Sequence, residues 1–209
     1  MKKLFVMFLG LLLCGITQAQ QVEVTLNNGG VVKGETPSLS FYVDNDHEII
    51  VKDKASGEKH NFTSTDVKEI KYYDKKAKEW MNWIPMVAQM GMSMSYKKEP
   101  KLYKNPIFLH PVYEGKNISA YIHYISTATH VKSGSFYGFG IMYYYKAKNE
   151  DFARSYYLKE NGITLGQKTM LKRYFQEYPQ TKEVLKDLDM KEFRKDPALF
   201  VKKLDEMIK

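Results

Sequence analysis

Methionine is the residue type whose spacing first suggests chemistry in this 209-residue chain. Met90, Met92 and Met94 form an M-x-M-x-M run, and thioether sulfur is a soft ligand that selects Cu(I). Methionine also fills irregular apolar gaps, and on a strand these three side chains would share one face. We expect packing or contact with a partner here, and a copper site is the weaker alternative.

Histidine offers a second metal hypothesis. The chain has five histidines, and none of them follows an H-x-x-x-H pattern. His110 and His123 lie on neighbouring predicted strands and could meet across the sheet, with His130 in the following loop, as a three-histidine zinc site. Because histidines scattered over strands and loops are ordinarily not ligands, we expect no metal and no cofactor.

Nucleophilic and acid–base catalysis have little support in the sequence. No G-x-S-x-G elbow is present for a serine nucleophile, and the single cysteine, Cys14, lies in the leader described below. Paired carboxylates could hydrolyse glycosides, but only Glu114, Glu150 and Asp151 lie near the aromatic strands. We therefore predict that the protein is not an enzyme, and a hydrolase is the least favoured alternative.

The N-terminal 19 residues have the pattern of a signal peptide. Lys2 and Lys3 precede an apolar stretch over residues 4–13, and Thr17 and Ala19 are small residues at the −3 and −1 positions of a cleavage site. The apolar stretch is too short for a transmembrane helix, which needs about 20 residues. The pattern predicts export and cleavage after Ala19, with no transmembrane segment in the mature chain.

Cys14 also raises the question of a lipid anchor. Lipoprotein signal peptides carry a small residue before the lipidated cysteine, whereas Leu13 precedes Cys14. Soluble export to the periplasm or the extracellular space is therefore favoured over lipid anchoring. The mature chain would contain no cysteine and no disulfide, which fits a bacterial envelope better than a eukaryotic secretory route.

Charge is distributed unevenly along a chain whose net charge is +8. Residues 20–74 carry ten acidic and six basic side chains, whereas residues 75–133 carry nine lysines and three glutamates. Such a split indicates two units, or one unit with a basic face. The acidic first part disfavours a phosphate-binding surface, and residues 134–145 have too few basic side chains for single-stranded nucleic acid. We predict no nucleic-acid partner.

Residues 20–74 are predicted to form the first domain, a small β-barrel-like unit. Residues 22–26 alternate in polarity and are followed by Asn28 and Gly29, a strong signal for a hairpin turn. Further short strands are expected over residues 48–54, 58–62 and 67–73. So many short strands in about 50 residues suggest a strongly bent sheet.

The rest of the chain is predicted to be a connector and a second domain, which makes the fold class α+β. Residues 75–105 form the connector, which holds both tryptophans and five methionines. Over residues 80–89 the connector could be helical or could lie across the sheets. Residues 106–209 form an antiparallel aromatic sheet with C-terminal helices. Its expected strands cover residues 107–113, 118–126, 136–146 and 153–158. Asp189 and Asp196 have the positions of helix caps.

Two stretches of the chain resemble known families. VTLNNGGVVKG at residues 24–34 and DVKEIK at residues 66–71 resemble the first and last strands of Sm-like and SH3-like small barrels. RSYYLKENG at residues 154–162, with the helices after it, resembles exported proteins of Bacteroidota in which a small β-module precedes an aromatic sheet ending in YYLK-x-x-G. The resemblance implies envelope export and this two-part fold, and it adds no catalytic residue.

Aromatic side chains supply the predicted interaction surface. Tyrosine and tryptophan combine an apolar ring with a polar tip, which suits contact with a protein or a carbohydrate. The candidate residues are Trp80, Trp83, Tyr137, Tyr143 and Tyr145. The alternative is that the helices and residues 80–94 cover this aromatic face.

Together these features predict an exported, non-catalytic envelope protein that acts as an interaction or binding module. Its expected partner is an envelope protein or a glycan. The alternative is a periplasmic protein that binds a ligand or a metal, with the methionine run as a copper site.

Overall fold

The computed structural model describes residues 20–36, 47–75, 78–92, 96–131, 134–159 and 167–208, without the side chains of residues 126–139. The predicted leader, residues 1–19, and Met94 lie outside the described residues. No helix within these ranges is long and apolar enough to cross a membrane.

Within the described residues the chain forms ten strands. They are β1 (Gln20–Leu26), β2 (Val31–Thr36), β3 (Glu48–Asp53), β4 (Lys59–Thr63), β5 (Val67–Asp74), β6 (Glu79–Met86), β7 (Ile107–Tyr113), β8 (Ile118–Val131), β9 (Gly134–Ala147) and β10 (Arg154–Lys159). Hydrogen bonds join them into one sheet in the order β10-β9-β8-β7-β6-β5-β1-β2-β3-β4. Every pair of neighbouring strands is antiparallel.

Four helices follow in the described part of the chain: α1 (Gln167–Tyr174), α2 (Thr181–Asp187), α3 (Met190–Lys195) and α4 (Ala198–Met207). The side chain of Asp189 accepts a hydrogen bond from the Lys191 amide at 2.7 Å, and that of Asp196 accepts one from the Ala198 amide at 3.1 Å. These are the caps that the sequence predicts. The antiparallel sheet with C-terminal helices confirms the α+β class at this level.

The first five strands pair as the hairpin signals require. Gly29 has a φ of 87°, the left-handed conformation that the turn between β1 and β2 needs. A Cβ at Gly34 would collide with the carbonyl of Lys52, so only glycine lets β2 approach β3 this closely. Alternating residues of these strands point inward, and Val22, Val24 and the other inward side chains are buried.

The segment predicted to be a connector contributes β6. This strand pairs with β5 on one side and with β7 on the other, and it joins the strands of the two predicted domains into one sheet. Trp83 of β6 is fully buried among the core residues of the first half, including Ile70 and Phe108. Residues 80–86 form a strand, which buries this ring between the neighbouring strands β5 and β7. The helical alternative for these residues is therefore wrong.

Where its side chains are described, the second half of the sheet is covered on both faces. The helices lie on one face, where Tyr143, Tyr145 and Tyr156 join their apolar residues in one cluster. On the other face, Tyr121 and Tyr144 pack with Ala88 and Tyr103 of the chain between β6 and β7. We call the described part of that chain, residues 87–92 and 96–106, the covering segment.

Asp205 of α4 connects the helices to the turn between β7 and β8. Its carboxylate accepts hydrogen bonds from the amides of Lys116, Asn117 and Ile118 at 2.7–3.0 Å and from the Tyr113 hydroxyl at 2.9 Å. Burial disfavours the charged carboxylate, but these hydrogen bonds outweigh it and hold the pKa of Asp205 below its usual value. The charged carboxylate therefore anchors α4 to the sheet.

We expect Asp205→Asn to lower the free energy of unfolding by about 2 kcal/mol at neutral pH, because hydrogen bonds to a charged group are lost. Since the folded-state pKa of Asp205 is lowered, the higher stability of the wild type is fully present above the usual Asp pKa of about 3.9. This extra stability disappears as the pH falls through the folded-state pKa. Urea unfolding of both proteins between neutral and acidic pH measures this. Substitution of the exposed Asp151 in Asp151→Asn is the control. If the difference in free energy of unfolding between the wild type and Asp205→Asn stayed the same at low pH, the role of the charged Asp205 carboxylate would be contradicted.

Candidate functional site

A polar face on the first half of the sheet carries the strongest candidate site. Here the buried residues alternate with charged and polar ones that face solvent on β1, β2 and β3. The register defines one row of side chains across five strands, because Tyr73 pairs with Trp80 and Glu35 pairs with both Gln21 and Lys52. Tyr73 and Gln21 adjoin the paired residues Tyr72 and Val22, which join β5 to β1 at this row. In order from β6 to β3, the row is Trp80, Tyr73, Gln21, Glu35 and Lys52.

Trp80 is the most exposed large apolar side chain among the described residues, with 51% of its surface accessible. Its ring lies beside that of Tyr73, with centroids 5.5 Å apart and planes tilted by 59°. Lys78, in the turn before Trp80, has a φ of 57°, an uncommon backbone conformation for a residue with a side chain. Trp80 and Tyr73 together form an aromatic platform at one end of the row.

A surface groove of about 570 Å³ begins at Trp80 and runs over β1, β2 and β3. Its charged lining is balanced, with three lysines and three carboxylates. The lysines are Lys33, Lys52 and Lys54, and the carboxylates belong to Glu23, Glu35 and Asp53. The groove therefore offers many hydrogen-bonding groups without a dominant sign of charge.

Two of the three carboxylates are already engaged. The Lys33 ammonium lies 2.8 Å from Glu23, and its hydrogen bond lowers the pKa of Glu23. The amides of Ser56 and Ala55 donate to Asp53 at 2.8 and 2.6 Å and lower the pKa of Asp53. Both carboxylates therefore stay ionised at neutral pH and are poor general acids.

The predicted aromatic surface is divided by the fold. Trp80 is exposed, as expected for a contact residue, but Trp83, Tyr143 and Tyr145 are buried. Trp83 points into the apolar cluster of the first half of the sheet, and the two tyrosines point into the cluster under the helices. The expectation that these three residues form an exposed surface is therefore wrong. Burial also raises the pKa of Tyr143 to about 12, so its hydroxyl stays protonated. The side chain of Tyr137 lies outside the described residues.

The predicted metal ligands do not come together in the described residues. The Nδ1 of His110 lies 2.6 Å from the Asn82 carbonyl, and the Nδ1 of His123 lies 3.0 Å from the Phe108 carbonyl. His110 pairs in register with Ile122, so the next residue, His123, points to the opposite face. No group of three histidine, cysteine, aspartate or glutamate side chains in the described ranges could hold a metal.

The methionine run is split between surface and core. Met90 is 45% exposed, whereas Met92 packs against the apolar clusters on both sides of the sheet. Gly91 between them has a φ of 63°, which breaks the strand-like alternation that would place both side chains on one face. Met94 lies outside the described residues, and the copper hypothesis stays untested.

Arg154, for which the sequence predicts no role, holds the covering segment in place. It donates to the carbonyls of Lys97 and Lys98 at 2.9 and 3.1 Å and to Glu150 at 2.6 Å. Its guanidinium also lies over the rings of Tyr96 and Phe152. Next to it, Ser155 donates to the Gly91 carbonyl at 2.6 Å. A single arginine at the start of an aromatic strand was the available signal.

Comparisons with protein-family models, with curated proteins and with solved structures found no match for this chain.

We expect Arg154→Met to lower the free energy of unfolding by about 3 kcal/mol, because it leaves Glu150 and two carbonyls without their buried partner. The covering segment should detach before the sheet unfolds, so trypsin should cleave at Lys97, Lys98, Lys101 and Lys104 under native conditions. Mass spectrometry of timed digests measures this. Arg173→Met, at an exposed position of α1, is the matched control, and equal cleavage of both variants would contradict the role of Arg154.

Proposed function

We propose that this protein is an exported, non-catalytic binding module whose groove beside Trp80 takes a glycan of the cell envelope. The observation that carries the proposal is an exposed tryptophan at the end of a polar, charge-balanced groove. An aromatic ring presents a flat apolar surface, on which the C–H face of a sugar ring can stack. The side chains along the groove then serve the sugar hydroxyls as hydrogen-bond donors and acceptors.

Charge balance favours an uncharged or weakly charged ligand. Three lysines and three carboxylates line the groove, so an anionic polymer would meet as much repulsion as attraction. The row from Trp80 to Lys52 crosses five strands, which corresponds to roughly 19 Å at the usual strand spacing. This length suits several linked sugar units better than a single small molecule.

Binding without catalysis is supported by the state of the groove carboxylates. Glycoside hydrolysis needs an acid whose pKa is raised, together with a second carboxylate. The pKa values of Glu23 and Asp53 are instead lowered by their partners.

We also propose that residues 20–74 form the barrel-like unit, because the strand order β5-β1-β2-β3-β4 and one shared apolar cluster are compatible with a bent sheet.

The expected result for Trp80→Ala is an affinity for an oligosaccharide at least about tenfold lower, because truncation of this exposed tryptophan removes its stacking surface. Titration calorimetry with a tetramer of β-1,4-linked N-acetylglucosamine, a sugar of bacterial envelopes, measures this. Val31→Ala removes a similarly exposed apolar side chain outside the groove and should bind like the wild type. Equal affinity of the wild type and Trp80→Ala, or binding of peptides but not of oligosaccharides, would contradict the proposal.

Export gives a separate prediction. The mature protein is expected to begin at Gln20 and to carry no lipid, because the residue before Cys14 is leucine. Intact mass of the protein purified from its native envelope measures the N-terminus. A mass that includes a diacylglycerol on Cys14 would contradict soluble export and indicate that the protein is anchored by a lipid.

A further inference from the structure

The covering segment has a strongly basic outer side. Between residues 96 and 104 it carries Lys97, Lys98, Lys101 and Lys104 against one acidic residue, Glu99, and all five side chains are exposed. The groove beside Trp80 includes none of these residues.

Aliphatic side chains are exposed among these lysines. Val87, Met90 and Leu102 have 38%, 45% and 36% of their surfaces accessible. Hydrogen bonds bring Met90 and Leu102 to the lysines, since the Met90 amide donates to the Lys101 carbonyl at 2.8 Å and Gln89 forms a β-bridge with Leu102. Val87 lies two residues before Gln89 on the same segment. The inward residues of the same segment, such as Ala88, complete the core below.

The fold holds these side chains outward. The carbonyls of Lys97 and Lys98 point inward to Arg154, while their side chains remain in solvent. Ser155 fixes Gly91, and the Ala153 amide donates to the Val87 carbonyl at 2.9 Å. The exposed patch is thus tied at three points to Ala153 and to the first two residues of β10, and it is presented on an anchored surface.

We propose that Val87, Met90, Leu102 and the four lysines form a surface that binds an anionic lipid layer. Lysines beside such a layer are attracted by its surface charge, and aliphatic side chains among them insert into the headgroup region. A folded protein partner fits less well, because the centres of protein interfaces are enriched in aromatic residues and arginine and depleted of lysine. Lysine ammonium groups are mobile point charges, which suit a fluid array of lipid phosphates.

Vesicle co-sedimentation of the chain from Gln20 onward tests the proposal. The probes are vesicles of pure phosphatidylcholine and vesicles with about one third phosphatidylglycerol, a composition that gives a negative surface potential. We expect the partition coefficient to be at least about tenfold higher for the anionic vesicles and to fall as salt is added.

A triple variant, Lys97→Gln with Lys98→Gln and Lys101→Gln, should lose about tenfold or more of the binding to anionic vesicles, since each lysine contributes up to about fivefold. The matched control replaces three exposed helix lysines, Lys182→Gln, Lys186→Gln and Lys191→Gln, and keeps the same net charge. Met90→Ser with Leu102→Ser should also weaken binding, whereas Trp80→Ala should leave it unchanged.

Equal losses in the two lysine triples would overturn the proposal, because they would reduce the effect to net charge. The proposal would also be overturned if the protein showed no preference for anionic vesicles. Binding of an acidic protein without such a preference would be the same negative outcome. Thermal unfolding verifies that each variant is folded. The Trp80→Ala result separates this surface from the groove, so either proposal can fail alone.

Discussion

Tyrosines lie on both faces of β9, and the need to bury both sets is the constraint on which the rest of the structure depends. Because side chains alternate along a strand, Tyr143 and Tyr145 face the helices while Tyr144 faces the covering segment. Each layer shields aromatic rings that would otherwise form a large apolar patch. Arg154 and Asp205 attach the two layers, one on each face of the sheet. Among the side chains that the structure describes, the solvent-facing surface of the sheet therefore lies on the first half of the chain.

The contrast between Trp80 and Trp83 follows from the same alternation. The two residues are three positions apart, which places them on one side of a helix but on opposite faces of a strand. Once residues 79–86 form β6, Trp83 fills the core and Trp80 must face solvent. Treating both tryptophans as one surface was consistent only with a helical or irregular segment. The secondary structure of β6 thus decides which aromatic residue is available for binding.

Local signals predicted the local elements. The strand over residues 107–113 and the helix caps at Asp189 and Asp196 agree with the structure, because hairpin turns, helix caps and alternating polarity act within a few residues. Non-local features were missed. β6 reads as an irregular run of Trp, Met and Pro, and it becomes a strand only between β5 and β7. For the candidate site, Trp80 was among the predicted contact residues, but its groove partners Glu35 and Lys52 meet through the pairing of β2 with β3, which no short-range turn signal indicated.

The two proposed surfaces lie at opposite ends of one strand. Trp80 is near the start of β6 and Val87 directly follows its end, so the seven steps between them span roughly 23 Å at the usual rise of a strand. β6 is hydrogen-bonded on both sides, which makes this spacing a fixed property of the sheet. The lipid-binding surface at Val87 and the aromatic platform at Trp80 are therefore separated by roughly 23 Å along β6, which is more than the Debye length of about 8 Å. The lysines of the covering segment are screened from Trp80 over this separation, so the two proposed surfaces can act independently, one on a lipid layer and the other on a glycan.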